Sequence, residues 1–224
     1  MNSLELRVIY QDDSLLVLDK PSGLLAVPGR GEDKQDCLSS RVQRLFPDAL
    51  IVHRLDMATS GLMIMARGMA AQRMLSNAFA SRDVVKRYVA VVDGHINVNG
   101  GDWHVIDLPI VVDWPNRPLR IVDAVRGKPS LTRWRVENID SPLQPDGRRK
   151  HPDSTRLELE PLTGRSHQLR VHLKALGHAI LGDTLYASAA VQSRSDRLLL
   201  HASELTLKHP VTGELLGFQS TPPF

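Results

Sequence analysis

Short apolar runs bounded by polar turn residues recur along the chain, and this pattern is typical of β-strands. Two such runs lie within residues 6–19, on either side of the turn at Gln11-Asp12-Asp13. The other segments with this pattern are 50–52, 62–65, 86–92, 155–160 and 198–202. The chain is therefore expected to contain several short strands.

Helices are predicted at three places between these strands. The first spans residues 38–46 and is stopped by Pro47. The second spans residues 69–82, with an apolar face made of Met74, Leu75, Ala78 and Phe79. The third is capped by Thr163 or Ser166 and ended by Gly177, with an apolar side made of Leu169, Leu173 and Leu176.

Two stretches show little periodicity and are predicted to be loops. Residues 97–128 are rich in Gly, Pro, Trp and Arg, and a long irregular segment in a compact domain is more often functional than idle. Residues 141–154 form a second polar loop that contains Arg148-Arg149-Lys150. Because no repeat, low-complexity tract or clear linker is found, residues 1–224 are predicted to form a single domain.

The composition narrows the class of protein only slightly. The 28 Lys and Arg exceed the 25 Asp and Glu by three, which permits a polyanionic partner without requiring one. A single cysteine, Cys37, excludes an internal disulfide and suits a reducing compartment. No leader segment and no run of 18 apolar residues is found. These features predict a cytoplasmic protein that does not bind a membrane.

Several common motifs of enzymes are missing from the sequence. It has no GxxxxGK[ST] phosphate loop, no GxGxxG and no GxSxG. His167 and His172 are five residues apart, so they do not share a helical face as the two histidines of a zinc helix do. A nucleotide cofactor, a metal site and a serine hydrolase are therefore not expected.

The stretch from Val52 to Met65 carries the strongest candidate chemistry. Its polar centre lies between two predicted strands, with Thr59-Ser60-Gly61 as the expected turn. If residues 52–56 are extended, Arg54 and Asp56 point to the same side, because side chains alternate along a strand. In isolation such a pair is most often an ion pair at the end of a strand.

Other residues give Asp56 a possible catalytic context. An aspartate can act as a nucleophile toward a sugar carbon or an electron-poor ring, but it must stay ionised while partly dehydrated. Arg165, at the predicted start of a helix, offers a guanidinium and a helix N-terminus that favour the charged carboxylate. Tyr88, on a predicted strand, offers an apolar ring for stacking. These are suitable groups for chemistry on a nucleobase.

Five segments of the sequence resemble, in the same order, the motifs of the RluA-type RNA pseudouridine synthases. They span roughly residues 14 to 218. They are Lys20-Pro21-Ser22-Gly23, His53-Arg54-Leu55-Asp56 with Thr59-Ser60-Gly61, Lys86-x-Tyr88-x-Ala90, Thr163-Gly164-Arg165-x-His167-Gln168-Leu169-Arg170-x-His172, and Leu198-x-Leu200-His201-Ala202. The tract from Leu108 to Pro118 is most similar to a dual-specificity member that acts on a large-subunit rRNA hairpin and on tRNA anticodon stem-loops.

The resemblance implies an α+β fold with a mixed, largely antiparallel central sheet, flanking helices and loops, and a catalytic cleft. It implies one catalytic domain without the S4 RNA-binding domain of some relatives. It also implies a monomer that isomerises uridine to pseudouridine in structured RNA, without cofactor, metal or protein partner. The uracil is detached from C1′ at N1, turned, and rejoined through C5.

The resemblance also assigns roles to individual residues. Asp56 is the catalytic centre, which attacks C1′ or C6 or assists a glycal route. Arg165 pairs with Asp56, Tyr88 packs against the uracil, and Arg54 fills the space left when the uridine flips out of its helix. A net charge of only +3 means that phosphate contacts should be concentrated locally, so the residues expected to bind RNA are Arg54 and the cations of the irregular loop, Arg117, Arg120, Arg126 and Lys128. The residues expected to support the site are His53, Thr59, Ser60, Gly61, Gly164, Gln168, Leu169 and Leu200.

Two functions of other classes remain compatible with the residues themselves. One is an RNA-binding module without catalytic activity, which the presence of Asp56, Tyr88 and Arg165 argues against. The other is an N-glycoside hydrolase with an aspartate nucleophile, which releases the free base instead of rejoining it. A single-turnover assay tests the first alternative, and chromatography of the product nucleosides tests the second.

Overall fold

The structure is a computed structural model, and it describes residues 6–98, 101–137 and 151–224. Its helices are α1 Leu38–Leu45, α2 Gly68–Ser81, α3 Gln168–Ala175 and α4 Ala189–Gln192. Its strands are β1 Arg7–Gln11, β2 Leu15–Lys20, β3 Ala49–Ile51, β4 Ser60–Arg67, β5 Val85–Asp93, β6 His104–Asp107, β7 Ile110–Val112, β8 Arg120–Val122, β9 Leu131–Val136, β10 Ser154–Pro161, β11 Leu200–Lys208 and β12 Leu215–Gln219.

The chain divides into two compact units. The first contains Met1–Lys86 and Ala202–Pro222, and the second contains Arg87–His201 and Pro223–Phe224. The prediction of a single catalytic domain is not tested by this division and stays a prediction. The residues predicted to form the site belong to both units, and each unit is described in turn.

The first unit is built on antiparallel strands covered by α2. Strand β2 pairs with β1 and with β4, β3 pairs with one end of β4, and β11 pairs with β12. Strand β4 is buried along nearly its whole length, because it contributes to the core on both sides. The shared core includes Leu15 and Val17 of β2, Leu62 and Ile64 of β4, and Leu75 of α2.

The second unit contains a four-stranded antiparallel sheet in the order β5-β10-β9-β6. Strands β7 and β8 form a separate antiparallel hairpin. All these strand pairs are antiparallel. The first unit also contains a parallel bridge, between Leu25 and Cys37. The predicted α+β class with largely antiparallel sheet structure is confirmed, whereas the predicted cleft stays a prediction.

Most of the predicted elements are confirmed, because long periodic segments are the ones that sequence patterns identify best. The strand pair within residues 6–19, the helices at 38–46 and 69–82, and the strands at 86–92 and 155–160 all form. The side chain of Met74, however, is 55% exposed, so its assignment to the apolar face of α2 is wrong. The buried residues of that helix are Ala71 and Leu75, one turn apart.

The segment 97–128 is more regular than predicted. Within its described part it contains β6, β7 and β8, each only three or four residues long. Strands this short do not produce a clear alternation of polar and apolar residues, which explains why the pattern was missed. The basic cluster Arg148-Arg149-Lys150 lies outside the described residues.

Candidate active site

Asp56 lies in a connection between two strands of the first unit. Residues 52–59 join β3 to β4 outside the regular strands, with Arg54 exposed, Leu55 buried and Asp56 half-buried. The main-chain amide of Thr59 donates to the carbonyl oxygen of Asp56 at 3.1 Å. This contact closes a turn at residues 57–58 directly after the candidate catalytic residue.

The predicted turn at Thr59-Ser60-Gly61 is therefore wrong. Ser60 and Gly61 already belong to β4, and all three residues are buried. The pairing of β2 with β4 extends as far as Lys20 opposite Gly61, so Gly61 belongs to the sheet and not to a turn. Thr59 and Ser60 are thus buried where a core strand begins.

Lys20 holds the turn that follows Asp56. Its side chain is fully buried, and Nζ donates to the carbonyl oxygens of Pro21, Leu24 and Met57 at 2.9, 2.8 and 3.0 Å. Such charge-assisted hydrogen bonds are stronger than neutral ones. The ammonium group therefore ties the segment after Asp56 to the end of β2.

The two residues after Lys20-Pro21 complete this clamp. Ser22 Oγ donates to the carbonyl oxygen of Ala58 at 2.7 Å, and the amide of Gly23 donates to that of Met57 at 2.9 Å. In the sequence, Lys20-Pro21-Ser22-Gly23 resembles only a family turn, and nothing in the motif predicts its contact with the Asp56 segment. The available signal was a lysine at the end of an otherwise apolar strand.

His53 fixes the other end of the same segment. Its Nε2 accepts a hydrogen bond from the amide of Ile64 at 2.9 Å, and its ring stacks on Phe79 at 4.3 Å between centroids. Burial lowers the pKa of His53 to about 3, and the positive charge of Lys86 adds to this effect. The ring is thus neutral at physiological pH, in agreement with a supporting role.

Gly61 has a backbone that only glycine adopts easily. Its φ is 109°, and a Cβ atom there would lie 2.2 Å from the carbonyl oxygen of Ala202 in β11. Gly61→Ala is therefore expected to lower the free energy of unfolding by more than about 2 kcal/mol, measured by thermal or denaturant unfolding.

Gly164→Ala is the matched control for Gly61→Ala. Gly164 is exposed, its φ is outside the left-handed region, and a Cβ added there would meet no atom within 4 Å. This second substitution is expected to change the unfolding free energy by less than about 0.5 kcal/mol. Equal stability of the two variants would contradict the steric argument.

Tyr88 lies on β5 in the second unit, where it is half-buried and paired with Leu159 of β10. The side chain of the preceding residue, Arg87, donates to Glu158 Oε1 of β10 at 2.6 Å. This ion pair joins β5 to its neighbouring strand. Tyr88 is therefore placed by a central strand rather than by a loop. A ring held in this way loses little conformational entropy when it stacks on a base.

Arg165 lies in the loop before α3, and Gln168 fixes its main chain. The Arg165 side chain is exposed, with Nε donating to the carbonyl oxygen of Pro129 at 3.3 Å. The Arg165 amide donates to Gln168 Oε1 at 3.0 Å, and the Thr163 hydroxyl donates to the same atom at 2.7 Å. Gln168 Nε2 in turn donates to Leu131 O, so Gln168 connects this loop to β9.

The predicted cap of α3 by Thr163 or Ser166 is wrong. The helix begins one residue after His167, which occupies the N-cap position with a left-handed φ of 60° and no side-chain cap. The hydroxyl of Thr163 is used by Gln168 and by the amide of Leu131, so it does not cap α3. Leu176 is 38% exposed and lies outside the apolar face, whereas Leu169 and Leu173 are buried as predicted.

A buried chain of hydrogen bonds continues from Gln168 to His172. Gln168 Nε2 donates to the Thr132 hydroxyl at 3.0 Å, and Thr132 Oγ1 lies 2.9 Å from His172 Nδ1. His172 Nε2 must carry hydrogen, because its partner at 2.9 Å is the carbonyl oxygen of Leu108. Burial lowers the pKa of His172, and the Leu108 contact partly opposes this shift. The neutral ring therefore accepts a hydrogen bond at Nδ1 from the Thr132 hydroxyl. Each polar group in this chain of hydrogen bonds thus has a partner.

Four of the five cations predicted to bind RNA lie in the second unit, where their surroundings differ. Arg117 is exposed and lies over the ring of Trp114, and Lys128 is exposed beside β7. Arg120 Nη1 donates to the carbonyl oxygens of two neighbouring residues at 3.0 and 3.1 Å. Arg126 forms an ion pair with Asp123 at 2.6 Å, and its hydrogen bonds lower the pKa of that carboxyl.

Neither a metal centre nor a membrane span is found in the described parts of the chain. Residues 6–98, 101–137 and 151–224 contain no group of three or more His, Cys, Asp or Glu that could hold a metal ion. None of the helices in these ranges is long and apolar enough to cross a membrane.

Comparison with known proteins identifies the family. The family described as RNA pseudouridylate synthase matches residues 14–175. The dual-specificity RNA pseudouridine synthase RluA of Escherichia coli K12 is 46% identical over 97% of this chain and 93% of that protein. The protein of the same name from Vibrio parahaemolyticus is 47% identical over 91% of this chain and 78% of that protein.

Solved structures agree with this assignment. The structure of human RNA pseudouridylate synthase domain containing 1 has a TM-score of 0.77 and 29% identity, covering 98% of this chain and 84% of that one. The structure of human RNA pseudouridylate synthase domain containing 4 has a TM-score of 0.71 and 25% identity. It covers 97% of this chain and 88% of that one. Fold and sequence together define an isomerase that acts on RNA. The chain belongs to the RluA-type RNA pseudouridine synthases, which confirms the predicted family.

Proposed function

We propose that this pseudouridine synthase modifies uridines in both a large-subunit rRNA hairpin and tRNA anticodon stem-loops. The dual specificity named for the relatives from Escherichia coli and Vibrio parahaemolyticus supports this proposal, since their identity to the chain extends over almost its full length. A monomeric state and a cytoplasmic location, predicted above, belong to the same proposal.

Asp56 is proposed to be the catalytic residue, and the observation that carries this assignment is the clamp around it. Lys20, Ser22 and Gly23 fix the carbonyl oxygens of the two residues that follow Asp56. A rigid segment presents a half-buried carboxylate without needing to be ordered during the reaction, which is the advantage of a preorganised group.

Tyr88 and Arg165 are proposed to assist the same reaction. Tyr88 offers a ring on a fixed strand to the uracil, and Arg165 offers an exposed guanidinium from a loop that Gln168 holds. Arg54, which is exposed, is proposed to fill the position of the flipped uridine. No redox change and no group transfer to a second molecule occurs, so no cofactor is required.

Mapping of pseudouridine at single-nucleotide resolution tests the proposed targets. Ribosomal RNA and tRNA from cells with and without the protein are compared, and the products formed by the purified protein are separated as nucleosides. Pseudouridine is expected in both RNA classes only when the protein is present. Modification of one class alone would contradict dual specificity, and release of free uracil would indicate a hydrolase instead.

The cations near the β7–β8 hairpin are proposed to contact phosphates. Each lost phosphate contact lowers the slope of log K against log salt by roughly 0.7 to 0.9. The double substitution Arg117→Ala with Arg120→Ala is therefore expected to weaken RNA binding and to lower that slope by about one to two units. Titrations at three salt concentrations measure this effect.

Arg126→Ala, which removes a further cation of the same predicted set, is the comparison for the double substitution. Arg126 is exposed in the same region, but its guanidinium is paired with Asp123. Its loss is expected to change the slope by less than each of the other two arginines does. A larger change with Arg126→Ala than with the double substitution would place the phosphate contacts elsewhere on this unit.

A further inference from the structure

The β7–β8 hairpin carries an exposed tryptophan at its tip. The side chain of Trp114 is 65% exposed, whereas Trp134 is 7% exposed and Trp103 is half-buried. The tip itself is closed by main-chain hydrogen bonds, with the amide of Asp113 donating to Leu119 O at 3.1 Å. The turn therefore presents a large aromatic ring at a fixed place on the surface.

One face of the Trp114 ring is already occupied by a cation. The guanidinium carbon of Arg117 lies 4.7 Å from the ring centroid, and Arg117 is itself exposed. This geometry is that of a cation–π contact, which keeps the indole in one orientation. The pair thus presents a flat aromatic surface next to a fixed positive charge.

The base of the hairpin is held firmly by the rest of the second unit. Ile110 of β7 packs with Val171 of α3 and with Tyr186, and Leu119 and Val122 pack against the same cluster. A hairpin fixed in this way does not lose its anchor when its tip binds a ligand.

Hydrogen bonds connect the hairpin to the loop that carries Arg165. The Tyr186 hydroxyl accepts from the amide of Arg120 at 2.9 Å and is hydrogen-bonded to His167 Nδ1 at 2.6 Å. Tyr186 is itself placed by Asp183, which forms a buried two-pronged ion pair with Arg170. His167 is only two residues from Arg165, so the hairpin and the arginine loop are parts of one rigid framework.

We propose that Trp114 and Arg117 form a stacking platform for an unpaired nucleobase of the RNA substrate other than the target uridine. The ring supplies the stacking surface, and the guanidinium supplies attraction for the adjacent phosphate. Aromatic rings beside positive charge are the usual means by which proteins bind unpaired bases. This proposal rests on the proposed RNA targets. It gives Trp114 the role of selecting substrates that have an accessible unpaired base.

Affinity measurements with an RNA of tRNA anticodon stem-loop sequence test the platform. The full-length protein and its Trp114→Ala and Trp114→Phe variants are titrated with this RNA and with copies that lack one loop base at a time. Trp114→Ala is expected to weaken binding of the intact RNA by roughly 5- to 100-fold, whereas Trp114→Phe keeps most of the affinity because it retains a ring. Val125→Ala, at a 93% exposed residue of the same region, is the control and is expected to bind like the wild type.

The RNA copies that lack one loop base, here called abasic RNAs, show whether Trp114 stacks on one particular base or contributes to binding in general. Removal of the stacked base is expected to weaken the wild type by a similar factor and to leave Trp114→Ala almost unaffected, which is the non-additivity of two partners in contact. Tryptophan fluorescence should be quenched by intact RNA in the wild type and much less in Trp114→Phe. Equal affinity of Trp114→Ala and the wild type, or an equal loss with every abasic RNA, would overturn the proposal.

The same samples keep this test separate from that of the proposed targets. Pseudouridine formation by the wild-type protein in the stem-loop reports on the targets, and the binding titrations do not require turnover. A stem-loop that is bound through Trp114 but not converted would contradict the tRNA target and leave the platform supported. Conversion without any effect of Trp114→Ala on affinity would overturn the platform alone.

Discussion

Replacement of Asp56 by Asn is expected to abolish pseudouridine formation while RNA binding stays within a few-fold of the wild type. The substitution keeps the shape of the side chain but removes its charge, so it cannot act as a nucleophile or stabilise a developing cation. The turn after Asp56 is held through carbonyl oxygens by Lys20 and Ser22, and none of these contacts uses the Asp56 carboxylate. These contacts of the turn should therefore persist in the variant.

Single-turnover assays with saturating RNA measure this effect, together with binding titrations and thermal unfolding. Activity of Asp56→Asn is expected below about one per cent of the wild type. Asp13→Asn removes the same charge from a fully exposed carboxylate of the first unit and is expected to leave activity unchanged. Residual activity of Asp56→Asn above that level would assign the catalytic role to another residue.

Replacement of Arg165 by Met is expected to lower activity by several orders of magnitude without loss of stability. The Arg165 side chain is exposed, and its main-chain amide, which the substitution retains, makes the contact with Gln168. Arg165→Lys is expected to recover little activity, because an ammonium group cannot reproduce the planar, two-pronged geometry of a guanidinium. Single-turnover rates and unfolding curves of both variants measure these outcomes.

Arg73→Met serves as the control for Arg165. Arg73 is an exposed arginine on α2, away from the predicted motifs, and its loss is expected to leave the rate unchanged. A fully active Arg165→Lys variant would show that positive charge alone is sufficient at this position. A Met variant that unfolds would instead indicate that Arg165 has a role in stability.

The sequence determined the order and type of most elements and the identity of the family. Helix α2 and strand β10 were recognisable because their apolar residues repeat with the period of the element itself. The motif around Asp56 was recognisable because its residues are adjacent in the chain. The predicted turn at Thr59-Ser60-Gly61 is wrong, because the place of Gly61 in β4 depends on pairing with β2 and on the close approach of Ala202, which are long-range contacts.

Only the tertiary structure revealed how the candidate residues are held in place. Lys20 and Met57 are 37 residues apart, Gln168 and Thr132 are 36 apart, and Arg120 and Tyr186 are 66 apart. Local periodicity carries no information about such contacts, because they form between elements that packing brings together. For this reason the sequence predicted roles for Asp56, Arg165 and Gln168, whereas only the folded chain revealed the contacts of Lys20 and Tyr186 and the groups that Gln168 holds in place.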